Sequence, residues 1–248
     1  MVNHSLDCSY TSQNHEVNNN YSSENERHIS NSVPIFSASF FPPIQYFARL
    51  YAAKKILIEA YENYQKKSYH NRYMIYGANG IIPLSVPVEK GVNAKQLIKD
   101  VRIAYCSHWN ENHWKTLEST YSSSPYFLYY EDEIRKIFMH KHIFLFDLNI
   151  ASIVAVEKCL EIKTDIHLTK KYYPAGYYEN DFRDLIHPKR DNCDDKNLVE
   201  VKYHQVFGHK YGFVPNLSIL DLLFNKGPET ELVLRAMTNY TNVLCATQ

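Results

Sequence analysis

Residues 33–60, V-P-I-F-S-A-S-F-F-P-P-I-Q-Y-F-A-R-L-Y-A-A-K-K-I-L-I-E-A, decide the fold. The first nine are largely apolar and predict a strand over Val33–Phe41, which Pro42-Pro43 would end. Ile44–Ala53 places apolar side chains on one stripe and predicts a short helix, and Lys54–Ala60 predicts a second strand. A strand, a helix and a strand in this order are typical of a βαβ unit. The sequence therefore predicts an α/β domain with a mixed sheet flanked by helices.

The turn between the first strand and the first helix is a candidate ligand site. Residues Phe41–Gln45 would lie at the carboxyl end of a strand and at a helix N-terminus, where α/β folds bind ligands and anions in particular. The turn lacks the glycine-rich cradle of the common phosphate-binding loops. Gln45 and Tyr46 are the residues that we expect to line a sugar or nucleotide pocket there.

Composition limits the classes of protein to which the chain can belong. It has 248 residues, 45% of them apolar, which is enough for one large domain. Its formal net charge is zero, which gives no reason to expect nucleic-acid binding. The five cysteines lack C-x-x-C spacing, and no H-E-x-x-H is present, so neither a disulfide framework nor a metal site is predicted, and no cofactor is expected.

The first 32 residues differ in composition from the rest. They are rich in Asn, Ser and His and poor in aliphatic residues, which predicts a disordered tail before a single domain over residues 33–248. The N-terminus has no apolar segment typical of a signal peptide, and the chain has no run of about 18 apolar residues that would predict a membrane span. We therefore expect a cytoplasmic location.

A basic and tyrosine-rich turn follows the second predicted strand. Lys66, Lys67, His70 and Arg72 alternate with tyrosines before another apolar strand at Ile81–Val86. This many donors and aromatic rings in a turn suit an anionic, partly planar ligand. The alternative is a solvated basic loop with tyrosines packed beneath it.

The remaining elements follow from periodicity and from turn signals. Half-exposed or short strands are predicted at Ile98–Ala104, Ile166–Leu168 and Val199–Phe207. Tyr172–Asn197 is polar, contains Pro and Gly, and is typical of a long surface loop or lid. Helices are predicted after Asn110 as far as Tyr121, over Tyr126–Phe138, from an Asp147 cap through Leu160, after Ser218 as far as Gly227, and over Glu229–Thr238.

Three candidate site residues have structural alternatives. His113 lies beside the apolar face of its predicted helix, where it is either a general acid or base or a buried histidine with satisfied hydrogen bonds. Asp147 is either a substrate ligand or a helix cap. Asp221 follows Ser218 by three residues, a spacing that resembles a capping box.

Several motifs together resemble one protein family. In order, they are F-F-P-P-I-Q-Y-F (40–47), Y-Q-K-K-S-Y-H-N-R (64–72), W-N-E-N-H-W (109–114), Y-S-S-S-P-Y-F (121–127), F-L-F-D-L-N (144–149) and F-V-P-N-L-S-I-L-D-L-L-F-N-K-G-P-E (213–229). Their order and the long closing motif resemble the WbqC-like family over roughly residues 33–232. One departure is that many relatives begin the first motif with His-Gln-Pro, where this chain has Ser37-Ala38-Ser39.

The resemblance implies a role in O-antigen or other surface-polysaccharide biosynthesis, as a transferase of glycine or another small acyl group. It implies site roles for residues of this chain that match the family's motifs: Lys66, Asn71 and Arg72 in the basic turn, His113, Asp147 and Asn149, and Asp221. The expected partner is a small-molecule, nucleotide-linked or lipid-linked amino sugar.

Acyl transfer to an amine needs a base for the amine and a donor for the oxyanion. The matching assignment is His113 as base, Lys66 and Arg72 on phosphate or oxyanion, and Asn71 on a carbonyl. No G-x-S-x-G element is present, which disfavours a serine nucleophile. The alternative function is a non-enzymatic protein that binds a glycan intermediate or a biosynthetic partner, which the 21 tyrosines and the missing His favour.

Overall fold

The structure is a computed structural model, and it describes residues 32–89, 91, 95–190 and 194–238. The predicted tail lies outside these residues apart from Ser32, so its disorder stays a prediction. None of the helices in the described ranges is long and apolar enough to cross a membrane.

A three-stranded parallel sheet confirms the predicted α/β class. Its strands are β1 (Ile35–Ser37), β2 (Lys55–Glu59) and β5 (Asp165–Leu168), in the order β1-β2-β5. Helix α1 (Ile44–Tyr51) connects β1 to β2 and completes the βαβ unit. Its buried face packs on the sheet, since Phe36 of β1 contacts the ring of Tyr46 with centroids 4.7 Å apart.

The antiparallel strands form a separate hairpin. Strand β3 (Arg72–Gly77) pairs with β4 (Gly80–Ser85) across a two-residue turn. The sequence predicted the second of these strands. It placed Arg72 in a basic turn instead of a strand, because the alternation of β3 is hidden by its tyrosines, Tyr73 and Tyr76, both of which are buried.

Helices cover the two sheets, and their positions agree with the sequence periodicity. Their bounds are α2 (Trp109–Tyr121), α3 (Phe127–Met139), α4 (Leu145–Cys159), the short α5 (Gly208–Tyr211), α6 (Ile219–Lys226) and α7 (Thr230–Thr238). Helix α3 packs on α2 and α4, and α7 packs on α1. Ser218 caps α6, as predicted, by accepting a hydrogen bond from the Leu220 N–H.

Two predicted caps are wrong. Helix α2 begins after His108, and the side chain of Asn110, inside the first turn, donates instead to the Phe138 carbonyl at 3.0 Å. Helix α4 begins after Phe144, which leaves Asp147 exposed in its first turn. In both cases the helix extends further toward its N-terminus than the polar residue suggested.

Two predicted strands are absent from the described residues. Ile98–Asp100 is a turn of 3-10 helix, and it is followed by isolated bridges at Arg102 and Ile103. Ile98 and Val101 are both fully buried, and their spacing of three places them on one face of a 3-10 turn, whereas on a strand they would lie on opposite faces. Val199–Phe207 forms no regular strand, although Val199 N–H donates to the Met237 carbonyl at 3.0 Å.

Candidate functional site

Polar side chains gather where the parallel strands end. Ser37 at the end of β1 is in register with Glu59 at the end of β2. Thr169 follows β5, and its hydroxyl donates to Oε1 of Glu59 at 2.6 Å. The carboxyl edge of a parallel sheet is the usual ligand site of α/β folds. We call Ser37, Glu59, Glu62, His70 and Arg183 the carboxyl-edge cluster.

Glu59 is fully buried and fully paired. Its Oε1 also accepts from the Tyr61 N–H, and its Oε2 accepts from the Tyr173 N–H and lies 3.2 Å from Nη1 of Arg183. A buried carboxylate with this many donors and an arginine is compensated for the loss of water. Glu59 therefore has a structural role.

Arg183 fastens the predicted lid over this edge. The arginine donates to the Tyr173 carbonyl at 2.7 Å, and its Nε and Nη2 donate to Asp181 at 2.9 and 2.6 Å. Backbone bonds continue the attachment, because Ile35 N–H donates to the Asn180 carbonyl and Phe182 N–H donates to the Ile35 carbonyl. These hydrogen bonds attach the lid segment to the backbone of β1, along the edge of the sheet.

Glu62 contacts a hydroxyl with one carboxylate oxygen and an imidazole with the other. Ser37 Oγ donates to its Oε2 at 2.9 Å, and Nε2 of His70 lies 3.2 Å from its Oε1. Nδ1 of His70 accepts from the Gln65 N–H at 3.1 Å, so the neutral ring has its proton on Nε2, facing Glu62. This contact does not have the geometry of a hydrogen bond, and the buried Oε1 has no hydrogen bond within the described residues.

This arrangement can accept a proton. Oε2 of Glu62, which accepts from the partly exposed Ser37 hydroxyl at 2.9 Å, can take the proton of that hydroxyl. Tyr46 closes one side of the cluster, donating to the Ser37 carbonyl at 3.3 Å. Burial, with the charges of Glu62 and Glu157, raises the pKa of Tyr46 well above its usual value, so its phenol stays a donor.

Asn149 holds the backbone around this cluster. It is fully buried in α4, and its Nδ2 donates to the Ala38 carbonyl at 3.0 Å and to the His70 carbonyl at 2.9 Å. These bonds fix the segment after β1 against the segment that contains His70. Of the predicted site residues, Tyr46 and Asn149 are the two with direct contacts to the cluster or its backbone.

His113 lies in an aromatic environment. Its ring contacts Tyr73, Trp109 and Phe138 at centroid distances of 5.6, 5.1 and 6.3 Å. Burial lowers its pKa to about 4, against a smaller opposing effect of a backbone hydrogen bond to Ser85. His113 is therefore neutral at pH 7, and its surroundings agree with the structural alternative.

Lys66 and Arg72, two of the predicted basic residues, reach the surface near the hairpin, whereas His70 is buried. Lys66 is exposed and makes no hydrogen bond or ion pair with the other described residues. Arg72 Nε donates to the Ser85 hydroxyl at 3.2 Å, and Asn71 Nδ2 donates to the Val86 carbonyl at 2.9 Å. Arg72 and His113 thus both contact Ser85, but no hydrogen bond or ion pair of the described chain joins Lys66 to either.

Asp221 belongs to a tyrosine cluster and not to a capping box. The buried carboxylate accepts from Tyr121 at 2.8 Å, Tyr203 at 2.6 Å and Gln205 at 3.1 Å. Burial raises its pKa, against these hydrogen bonds, which lower it. The N–H of Ser218, which a capping box would engage, donates instead to the Met74 carbonyl.

Gln45 lines a small pocket beside that cluster. The pocket encloses about 110 Å³. Gln45 Nε2 donates to Asp195 at 3.2 Å, and Asp195 also pairs with Arg49. The walls are largely apolar and consist of Ile44, Gln45, Leu198, Val199, Glu200, Val201, Tyr203, Phe213, Pro215, Asn216 and Met237.

Sequence reasoning did not assign Glu62 or His70 to the site. Glu62 is three residues beyond the end of β2, and His70 lies in the basic turn, where it was one donor among several. The position of Glu62 in the sequence could have identified it, because a carboxylate just after a buried parallel strand lies at the edge of the sheet where ligands bind. Within the described residues, no group of three His, Cys, Asp or Glu side chains could hold a metal ion.

Comparisons with known proteins agree with the motifs. The sequence profile of the WbqC-like protein family matches residues 38–187. The uncharacterized protein Rv1507c of Mycobacterium tuberculosis (strain ATCC 25618 / H37Rv) is 26% identical over 228 residues, which cover 82% of this chain and 97% of that protein. No solved structure matches.

Proposed function

The chain belongs to the WbqC-like protein family, and we propose that it transfers a small acyl group, such as glycyl, to the amine of an amino sugar. The acceptor is linked to a nucleotide or a lipid, and the product enters a surface polysaccharide of the O-antigen type. The family resemblance supports the substrate class, and the carboxyl-edge cluster supports the reaction class.

The observation on which this proposal rests is the environment of Glu62. A neutral amine attacks a carbonyl with its lone pair and must lose a proton as the amide forms, so the reaction needs a base within hydrogen-bond reach. Oε2 of Glu62 accepts from the partly exposed Ser37 hydroxyl at 2.9 Å, and its buried Oε1 lies 3.2 Å from His70 Nε2 without a hydrogen bond among the described residues. Glu62 therefore replaces His113 as our candidate base.

The basic turn supplies a site for the acceptor's phosphate. Lys66 is exposed and lies four residues before His70 in the same turn. Arg72, Asn71 and Asp147 would complete the acceptor's contacts at the surface. A lysine held by no carboxylate of the described chain can bind a phosphate without first breaking an ion pair.

Ligand screening followed by a transfer assay tests the proposal. Thermal shifts are measured with nucleotides, nucleotide-linked amino sugars and aminoacyl donors, with Lys66→Ala as the variant that should lose the phosphate contact. A ligand at 100 times its Kd stabilises the fold by roughly 2.7 kcal/mol, which is measurable. Mass spectrometry then follows acylation of the ligand that binds. If no amine in the panel is acylated with any donor, the transferase assignment is excluded for these substrates.

A binding function is the second candidate, and the pocket at Gln45 favours it. Apolar and tyrosine-lined walls next to a buried carboxylate suit a sugar or another small amphipathic group. Calorimetry with Tyr203→Phe and Glu62→Gln distinguishes the two. A binder keeps its affinity in Glu62→Gln and loses it in Tyr203→Phe, without turnover in either protein.

A further inference from the structure

Ser37 has the surroundings of an activated nucleophile. Its hydroxyl donates to Glu62 Oε2 at 2.9 Å, and Glu62 is in turn faced by the Nε2 proton of His70. A nucleophile, a base within hydrogen-bond reach and a third group that orients the base are the geometric signature of covalent catalysis. The residue is partly exposed, whereas Glu62 and His70 are buried.

Other hydroxyls near the site lack these features. Ser39 is buried and donates to the Ser37 carbonyl at 3.4 Å, and Ser152 donates to the Asn149 carbonyl at 2.7 Å. Thr169 does donate to a carboxylate, but it is buried, and its partner Glu59 is already paired with Arg183. Ser37 thus differs from the neighbouring hydroxyls both in its solvent exposure and in its hydrogen-bond partner.

We infer that Ser37 carries the acyl group as a covalent ester between the donor and the amine. This inference rests on the proposed function, since it divides that transfer into two steps.

In both steps, Glu62 accepts a proton and then gives it up. In the first, Ser37 Oγ attacks the carbonyl carbon of an activated donor, a thioester or an acyl phosphate, and its proton passes to Glu62. The bond from the carbonyl carbon to the leaving group breaks, and the leaving group departs with the electron pair and receives that proton. In the second, the amine attacks the ester and gives its proton to Glu62. The carbon–Oγ bond breaks, and Oγ receives the proton, which restores the hydroxyl.

Labelling with a fluorophosphonate tests the nucleophile without the natural substrate. The reagent forms an Oγ–P bond with a base-activated serine and expels fluoride, and peptide mass spectrometry locates the adduct. We expect an adduct on Ser37 in the wild-type chain and in Ser39→Ala, and none on this peptide in Ser37→Ala. In Glu62→Gln, labelling should slow by roughly 10²–10⁴-fold, the usual contribution of a general base.

The outcomes separate this inference from the proposed function. Labelling of Ser37 without acylation of any amino sugar supports Ser37 as a nucleophile and counts against an amino sugar as the acceptor. Sugar acylation that persists in a folded Ser37→Ala protein supports the transferase and overturns the covalent step. Absence of an adduct on Ser37 in the wild-type chain also overturns it. Melting curves of both serine variants establish that they are folded.

Discussion

Two buried glutamates near the end of β2 have different partners, and the roles that we assign to them differ for that reason. Glu59 accepts from two backbone N–H groups and Thr169 and is paired with Arg183, which leaves it no capacity for a ligand. Glu62 has an oxygen without a hydrogen bond among the described residues, which in a buried carboxylate is costly unless a ligand or a reaction uses it. The distinction depends on contacts and not on residue type.

The first prediction at this scale concerns Asn149. Asn149→Ala leaves the Ala38 and His70 carbonyls without their donor and opens a small cavity in α4, so we expect a loss of about 2–4 kcal/mol in unfolding free energy. Urea denaturation measures it. The exposed neighbour Asp147 is the control, and Asp147→Ala should change stability by less than about 0.5 kcal/mol. Equal losses of unfolding free energy in the two variants would contradict the role of Asn149 in holding the Ala38 and His70 segments together.

The second prediction concerns pH and His113. Its folded pKa of about 4 lies below the ordinary value of 6.5, so the fold favours the neutral ring. Its contribution to stability is complete above pH 6.5 and is lost as the pH falls toward 4, by up to about 3 kcal/mol. Burial lowers the pKa of His142 over the same range, and that effect remains in His113→Gln.

Urea denaturation at pH 7, 5.5 and 4 should therefore show a shallower decline in His113→Gln than in the wild-type chain. An unchanged decline would mean that His113 is protonated without cost and therefore reaches water, as a catalytic base at this position would require.

At the scale of elements, helices were easier to predict than strands. Apolar stripes located α2, α3, α4 and α6, because the helix period is visible within each segment. The caps of α2 and α4 were misplaced, since Asn110 and Asp147 are good capping residues that happen to lie inside the first turn. Strand β3 and the 3-10 turn at Ile98 were missed, since short apolar runs fit several conformations.

The third prediction concerns the lid and its arginine. Arg183→Gln leaves the fully buried Glu59 without its cation, and we expect it to cost about 3–5 kcal/mol and to expose residues 172–189 to proteases. Arg102→Gln removes an exposed pair with Glu89 and should cost less than about 1 kcal/mol. Denaturation and limited proteolysis measure both effects. A lid that stays resistant in Arg183→Gln would show that its backbone bonds alone hold it.

The fourth prediction concerns the end of α6. Gly227 has φ of +52°, and a Cβ there would overlap the ring of Tyr126, so we expect Gly227→Ala to cost more than about 2 kcal/mol. Gly176 has φ of +81°, and a Cβ there would meet no described atom within 4 Å, so Gly176→Ala should show the backbone cost alone. Equal melting temperatures for the two variants would contradict a steric role for Tyr126.

At the scale of the whole molecule, the site is made by tertiary contacts that the sequence does not display. Ser37 and Glu62 are separated by 25 positions, and Asn149 reaches back across 111 positions to Ala38. The α/β class and the βαβ opening followed from patterns local to the chain. The pairing of Glu62 with Ser37 and His70 did not, because it depends on how the basic turn folds back over the ends of β1 and β2.

The transfer rate of Glu62→Gln decides whether Glu62 is the reacting base. The substitution keeps the shape of the side chain and removes its basicity, so kcat should fall roughly 10²–10⁴-fold while the affinity for the amino sugar stays near the wild-type value. His113→Gln, measured in parallel, should retain most of the wild-type kcat. Full activity in Glu62→Gln together with its loss in His113→Gln would contradict this assignment and place the reacting base in the aromatic core.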